Sequence, residues 1–300
     1  MATIAPFAAY NGEIIPFEAA SLSVASSAVL YGLSVYSVFF AKHTEVGYLA
    51  FRIPDHLTRL KQSASMIGFD DVTPLLENFE ATLKALFTKN NLTTDQFVRV
   101  TIHASELVPG VRTRNLKLSL SIFLYEAVNI LPQDQAKIKT SLWRRVADTA
   151  IPARAKVNGA YVNSALAKQD ALDSGHDDCL FLNQNGYVSE LSAANIFFVK
   201  RGELITPDCA SDILEGITRR SIVEVAREQG IPITERKVAL TELYTADEVF
   251  ACGTSAFISP ITSIDGRVIG PGVPGKFTNL LRDNLKIIQS DRNHPWITLI

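Results

Sequence analysis

Ala155-Lys156-Val157-Asn158-Gly159-Ala160-Tyr161 is the stretch on which the reading of this 300-residue chain turns. It follows Ile151-Pro152 and leads into a helix expected over Tyr161–Asp173. Ala155, Gly159 and Ala160 are small, so a bulky group can approach the lysine. Val157, Tyr161 and Val162 supply apolar surface that strips water from an ammonium, which is one way a protein makes a lysine nucleophilic.

Working outward, three downstream pieces complement Lys156. Glu190 lies in Gly186-Tyr187-Val188-Ser189-Glu190-Leu191, an expected strand whose alternation puts Glu190 on the face of Val188 and opposite Tyr187 and Ser189. Either face is apolar, and a buried carboxylate needs a partner. Gly216-Ile217-Thr218 opens an expected helix, where N–H groups without acceptors meet a threonine hydroxyl. Gly253-Thr254-Ser255 follows another strand with short side chains and exposed N–H groups. A lysine, a buried carboxylate and two donor-rich turns are what pyridoxal phosphate asks of a protein. The lysine holds the aldehyde as a Schiff base, the carboxylate keeps the ring nitrogen protonated and the turns take the phosphate. Arg59, with its fork of donors, is a further phosphate candidate.

Upstream, Tyr10-Asn11-Gly12-Glu13 signals a hairpin. Val35, Tyr36, Val38, Phe39 and Phe40 make Ser34 to Ala41 too apolar for one wet face, so a central strand is expected. Leu57, Leu60, Ala64 and Ile67 mark a helix face with Asp55 as its cap, and Leu75, Leu76, Phe79, Leu83 and Leu86 mark a second. Strands follow at Phe97 to His103, Lys117 to Tyr125 and around Thr140 to Trp143. Strands and helices mix without strict alternation, which predicts an α+β (mixed α/β) class. The polar break at Leu131-Pro132-Gln133-Asp134-Gln135 divides the chain into a small domain (1–130), a linker (131–136) and a large domain (137–300) carrying Lys156.

Composition narrows the function class. Hydrophobic content of 47% and charged content of 20% describe a well-cored globular chain, and a net charge of −2 gives no field for nucleic acid or anionic lipid. No apolar run approaches the ~20 residues that span a bilayer, and no signal peptide is expected at the N-terminus, which lacks a basic region followed by an apolar core. Cys179, Cys209 and Cys252 read as small core residues in a reducing, cytoplasmic compartment. The five histidines show no metal-ligand spacing, and His103 reads as structural. There is no Gly-x-Ser-x-Gly elbow and no Walker sequence.

These residues are where the chain resembles the class IV, fold-type IV pyridoxal-phosphate aminotransferases, most closely the branched-chain amino acid aminotransferases. The likeness runs through Tyr31-Gly32-Leu33-Ser34-Val35-Tyr36, Arg59-Leu60, Trp143-Arg144-Arg145, and Ala155-Lys156 onward to Ala167. It continues in Gly186 to Glu190 with Asn195-Ile196-Phe197, Leu214 to Arg219, Ala246 to Phe250, and Gly253-Thr254-Ser255. The resemblance implies a two-domain homodimer with the active site between the domains. It makes Lys156 the Schiff-base lysine and proton shuttle, Glu190 the pyridine-nitrogen partner and Tyr161 a hydrogen-bond partner of the ring oxygen. Arg59, Gly216, Ile217, Thr218 and Thr254 hold the phosphate, and Tyr31, Tyr36, Arg99, Thr254 and Ser255 meet the substrate. An amino donor and a 2-oxo acid acceptor such as 2-oxoglutarate react in ping-pong order, and no metal is implied.

The chain departs from that pattern where substrate is read. Branched-chain enzymes resemble one another in Phe-Glu-Gly-Ile-Arg after Ser-Val, whereas this chain has Tyr36-Ser37-Val38-Phe39-Phe40. Tyr-Ile-Arg-Pro likewise becomes Phe97-Val98-Arg99-Val100, which keeps Arg99 as a carboxylate clamp, with Arg112 and Arg114 as alternatives. D-amino acid aminotransferases and (R)-selective amine transaminases share the lysine–glutamate–threonine frame and stay open. Aminodeoxychorismate lyase chemistry is less favoured.

Overall fold

In the computed structural model, which describes residues 2–300, the chain divides into two units. The first comprises the residues up to Val128, Ala155–Ala160 and Gln289–Ile300. It contains β1 (Ile4–Tyr10), β2 (Glu13–Pro16), α1 (Ser27–Tyr31), β3 (Ser34–Thr44), β4 (Gly47–Phe51), α2 (Ile53–Met66), α3 (Phe79–Asn90), β5 (Gln96–Ala104) and β6 (Leu118–Glu126). One antiparallel sheet runs in the order Ile297–Leu299, β4, β3, β5, β6, β1, β2. β1 turns into β2 at Asn11 and Gly12, both at positive φ, as the Asn-Gly signal predicts. β3 lies inside the sheet, and every residue from Ser34 to Ala41 is buried. That two-sided burial is why its sequence carries no polar alternation.

The two faces of β3 have different neighbours. Phe39 packs edge-on to Phe79 of α3, with ring centroids 6.4 Å apart, and lies 5.7 Å from the His56 ring of α2. The other face sets Tyr36, Val38 and Phe40 opposite Thr101, Arg99 and Phe97 of β5. α2 corrects one expectation: Asp55 is not its cap. The chain enters α2 through Arg52 in the left-handed region (φ 53°), and Asp55 sits in the first turn, where Arg52 Nη1 reaches its Oδ2 at 3.2 Å. Leu75 and Leu76 lie in a separate 3-10 turn, Thr73–Leu76, ahead of α3. Pro74 suits the first positions of that turn but denies an N–H to a longer helix.

The second unit comprises Asn129–Arg154 and Tyr161–Ile288. It contains β7 (Ala136–Thr140), α4 (Tyr161–Asp173), β8 (Asp178–Leu182), β9 (Val188–Leu191), β10 (Asn195–Lys200), β11 (Glu203–Pro207) and α5 (Ile217–Glu228). β12 (Ile233–Arg236), α6 (Leu240–Leu243), β13 (Glu248–Gly253), β14 (Phe257–Ile264), β15 (Arg267–Val268) and α7 (Lys276–Ile288) complete it. The sheet order is β12-β11-β10-β13-β14-β7-β8-β9, with β15 paired to β14. Parallel pairs (β11 with β12, β14 with β7, β7 with β8) sit among antiparallel ones, so the mixed α+β class holds. Ile138, Leu180, Ile196, Phe198, Val249 and Ile261 belong to one buried cluster.

The division differs from a single break at 131–136. Leu131 is 3% exposed and belongs to the second unit's core, and Ala136 already opens β7. Lys156 belongs to the first unit, not to the C-terminal one. The reason is pairing: the Lys156 carbonyl accepts the Tyr36 N–H at 3.0 Å, Val157 bridges Val35, and Ile297–Leu299 pairs with β4. Trp143 lies beyond the end of β7. Cys179 and Cys252 are buried, and burial pushes both thiols well up in pKa, whereas Cys209 is only half-buried in a short turn. Among the described residues no helix is long and apolar enough to cross a membrane.

Candidate active site

In the first unit the lysine arm is fixed through its backbone. The Lys156 N–H donates to Ser63 Oγ at 3.1 Å, while its carbonyl is held by Tyr36. Flanking Ala155 and Val157 are 5% and 6% exposed, so the segment is anchored on both sides of a half-buried side chain. Beyond Val157, Gly159 N–H reaches the Gly32 carbonyl at 3.2 Å. Gly32 closes α1 at φ 69°, and a Cβ there would meet Gly159 Cα at 2.9 Å, so only glycine fits.

Around the arm stand three of the expected residues. The Tyr36 ring has Lys156 Nζ 4.8 Å and Arg99 Cζ 3.7 Å from its centroid, which are cation–π distances. Arg99 Nη2 donates to Asn158 Oδ1 at 3.0 Å, so an amide of the lysine arm and an aromatic ring set the guanidinium. Arg59, on α2, donates from Nη2 to Ser37 Oγ at 3.2 Å. Tyr31 ends α1 and is 40% exposed. Arg112 and Arg114 lie in their loop, both exposed. His103 lies between Ser121 Oγ (2.8 Å from Nε2) and Ser34 Oγ (3.4 Å from Nδ1). Burial, with help from the Arg99 charge, pushes its pKa down to about 4, so it stays neutral in the structural role expected of it.

In the second unit the focus is Glu190 on β9, 5% exposed. Arg145 Nη2 lies 2.8 Å from Oε1, while Oε2 accepts from Asn195 Nδ2 at 2.9 Å and from the Leu214 N–H at 3.2 Å. The partner that burial demands is therefore already supplied by the chain. Asn195 also donates to the Leu214 carbonyl at 2.9 Å, tying the strand to the loop before α5. Gly216 caps α5 without a side-chain hydrogen bond, and a Cβ there would lie 2.1 Å from Asn195 Oδ1. Ile217 and Thr218 form the buried first turn, whose N–H groups have no acceptor within the helix. Glu215 is turned to Arg154, with Oε1 3.1 Å from Nε. Tyr161 is the first residue of α4, and Thr254 and Ser255 lie half-buried after β13.

Arg145, Asn195, Ser37, Ser63 and Asn158, which the sequence did not single out, are the groups that contact Glu190, Arg59, Lys156 and Arg99. Arg145 had a signal: it stands in Trp143-Arg144-Arg145, and a carboxylate as buried as Glu190 calls for a cation nearby. The others are neutral groups: Ser37, Ser63 and Asn158 meet Arg59, Lys156 and Arg99 far away in sequence, and Asn195, though five residues from Glu190, is an ordinary strand-start asparagine until the fold is known.

The profile of the family "Amino-transferase class IV" matches residues 35–264, and the chain belongs to that family. A protein of Aquifex aeolicus named "Probable branched-chain-amino-acid aminotransferase" is 36% identical over 97% of this chain and 96% of its own length. The crystal structure of the Escherichia coli branched-chain amino acid aminotransferase superposes with a TM-score of 0.92 at 32% identity, covering 98% of each chain. That of the branched-chain amino acid aminotransferase of Thermobaculum terrenum, in its PLP-bound holo form, gives 0.90 at 32% identity over 98% of each chain. This chain is accordingly a pyridoxal-phosphate-dependent aminotransferase. The residues present fit the cofactor: a half-buried lysine against an aromatic ring, a buried carboxylate paired with an arginine, an uncapped helix start and a guanidinium aimed by a hydroxyl.

Proposed function

We propose that this aminotransferase takes branched-chain and other apolar amino acids as donors and passes the amino group to a 2-oxo acid such as 2-oxoglutarate. The observation that carries the reading is the Lys156 arm, locked at N–H and carbonyl so that its backbone is fixed beside the Tyr36 ring. Lys156 Nζ would hold the cofactor aldehyde and carry the proton to and from the substrate α-carbon. Glu190 would hold the proton of the pyridine nitrogen, with Arg145 balancing the carboxylate charge. Tyr161 would donate to the ring oxygen. Arg59, the first turn of α5 with Gly216, Ile217 and Thr218, and Thr254 would bind the phosphate. When bound, pyridoxal phosphate supplies the electron sink that lets the α-carbon lose a proton.

Substrate contacts are assigned to Tyr31, Tyr36, Arg99, Thr254 and Ser255. Tyr36, Val38 and Phe40 share one strand face with Arg99, an apolar surface with a single cation on it, and this supports an apolar side chain alternating with an acidic one. The names of the relatives support the same substrates. Free cysteines support a cytoplasmic setting. Val24, Val29, Leu107, Val108 and Val111, all more than half exposed, support a homodimer that covers them. A donor screen with paired L- and D-amino acids and (R)-phenylethylamine tests the reading. L-Leucine, L-isoleucine and L-valine should lead; D-amino acids or the amine leading would sink it.

A further inference from the structure

We propose that Ser37, backed by His56, is a positioning residue that aims the Arg59 guanidinium at the cofactor phosphate; this deepens the functional reading above and rests on it. Strand alternation places Ser37 on the helix-facing side of β3, between Val35 and Phe39, which are both fully buried. A hydroxyl in that apolar row, itself 1% exposed, must be satisfied by partners from α2. Its oxygen lies 3.2 Å from Arg59 Nη2 and 2.8 Å from His56 Nδ1. A guanidinium only donates, so Ser37 Oγ accepts from Arg59, and the same hydroxyl is held from its other side by the His56 imidazole at Nδ1. His56, 2% exposed, is set in turn against the Phe39 ring.

The other end of Arg59 is tied down as well. Its carbonyl accepts from Ser63 Oγ at 2.8 Å, and the same oxygen accepts the Lys156 N–H. One hydroxyl therefore fixes the arginine backbone relative to the lysine arm, and a second fixes its planar head. A guanidinium fork recognises phosphate oxygens only when its plane is held, so the head contact is where orientation is decided.

The test compares pyridoxal phosphate with pyridoxal, which lacks the phosphate, by absorbance titration of the cofactor-free chain. Ser37→Ala should weaken pyridoxal phosphate about tenfold, the scale of losing a hydrogen bond to a charged group, and leave pyridoxal nearly unchanged. Inorganic phosphate should lose potency as a competitor in the same proportion, and Ser37→Thr should restore both. His56→Gln, read by the same ratio, covers the case in which the alanine variant does not fold. Equal weakening of both ligands, or of neither, overturns the inference while leaving the functional reading intact. An unaltered chain that takes up no pyridoxal phosphate overturns both.

Discussion

Two arginines, one in each unit, are set in opposite ways. Arg145 meets Glu190 carboxylate to guanidinium at 2.8 Å, with side chains 13% and 7% exposed. Arg99 is held by the Asn158 amide and the Tyr36 ring, both neutral. The first arginine is consumed in keeping an anion where it is, whereas the second is oriented without being neutralised. A guanidinium set by neutral groups, like Arg99, supports the proposed contact with a substrate carboxylate, whereas one set by an anion, like Arg145, does not.

The largest expected effect isolates the chemistry from both arginines. Lys156→Ala should lower turnover by at least about a thousandfold, with borohydride and peptide mapping placing label on Lys156 in the unaltered chain only. Turnover at the normal rate in this variant ends the assignment. Next comes the consumed arginine. Arg145→Met should destabilise the fold by about 3–5 kcal/mol in urea unfolding, because Glu190 is left buried and charged, and adding Glu190→Gln should recover much of it. Arg99→Ala should cost little stability but raise KM for 2-oxoglutarate by about ten- to a hundredfold relative to 4-methyl-2-oxopentanoate. Similar KM changes for both acceptors would show that the two arginines do not differ in the way described.

The smallest effect concerns His103, which lies near the poised arginine. Its folded pKa of about 4 is below the ordinary histidine value of about 6.5, so the unfolded chain binds the extra proton between them. The resulting stability is fully present above pH ~6.5 and is lost as pH falls toward ~4. His103→Gln should flatten that part of the stability–pH curve; an unchanged slope would assign the slope to other groups.

Local signals in the sequence were enough for much of this. Continuous burial made Ser34 to Ala41 readable as an inner strand, Asn11-Gly12 as a turn and Tyr161–Asp173 as a helix. β14 escaped because Ser259, Pro260, Thr262 and Ser263 break its apolar run, and proline usually argues against an interior strand. The unit that holds Lys156 was hidden because its pairing partners, Tyr36 and Val35, lie more than a hundred residues upstream. Lys156 and Glu190 stood out by residue type and setting. The groups that hold them, Ser63 and Asn195, did not, since serine and asparagine are unremarkable until their neighbours in space are known.

The close approach of Gly32 to Gly159 gives the lysine arm almost no play. A single methyl group on Gly32 would act as a wedge between the arm and the end of α1, levering the amine away from its aim while every reactive group stayed in the sequence. The reach of the nucleophile is thus set by two residues that have no side chain at all.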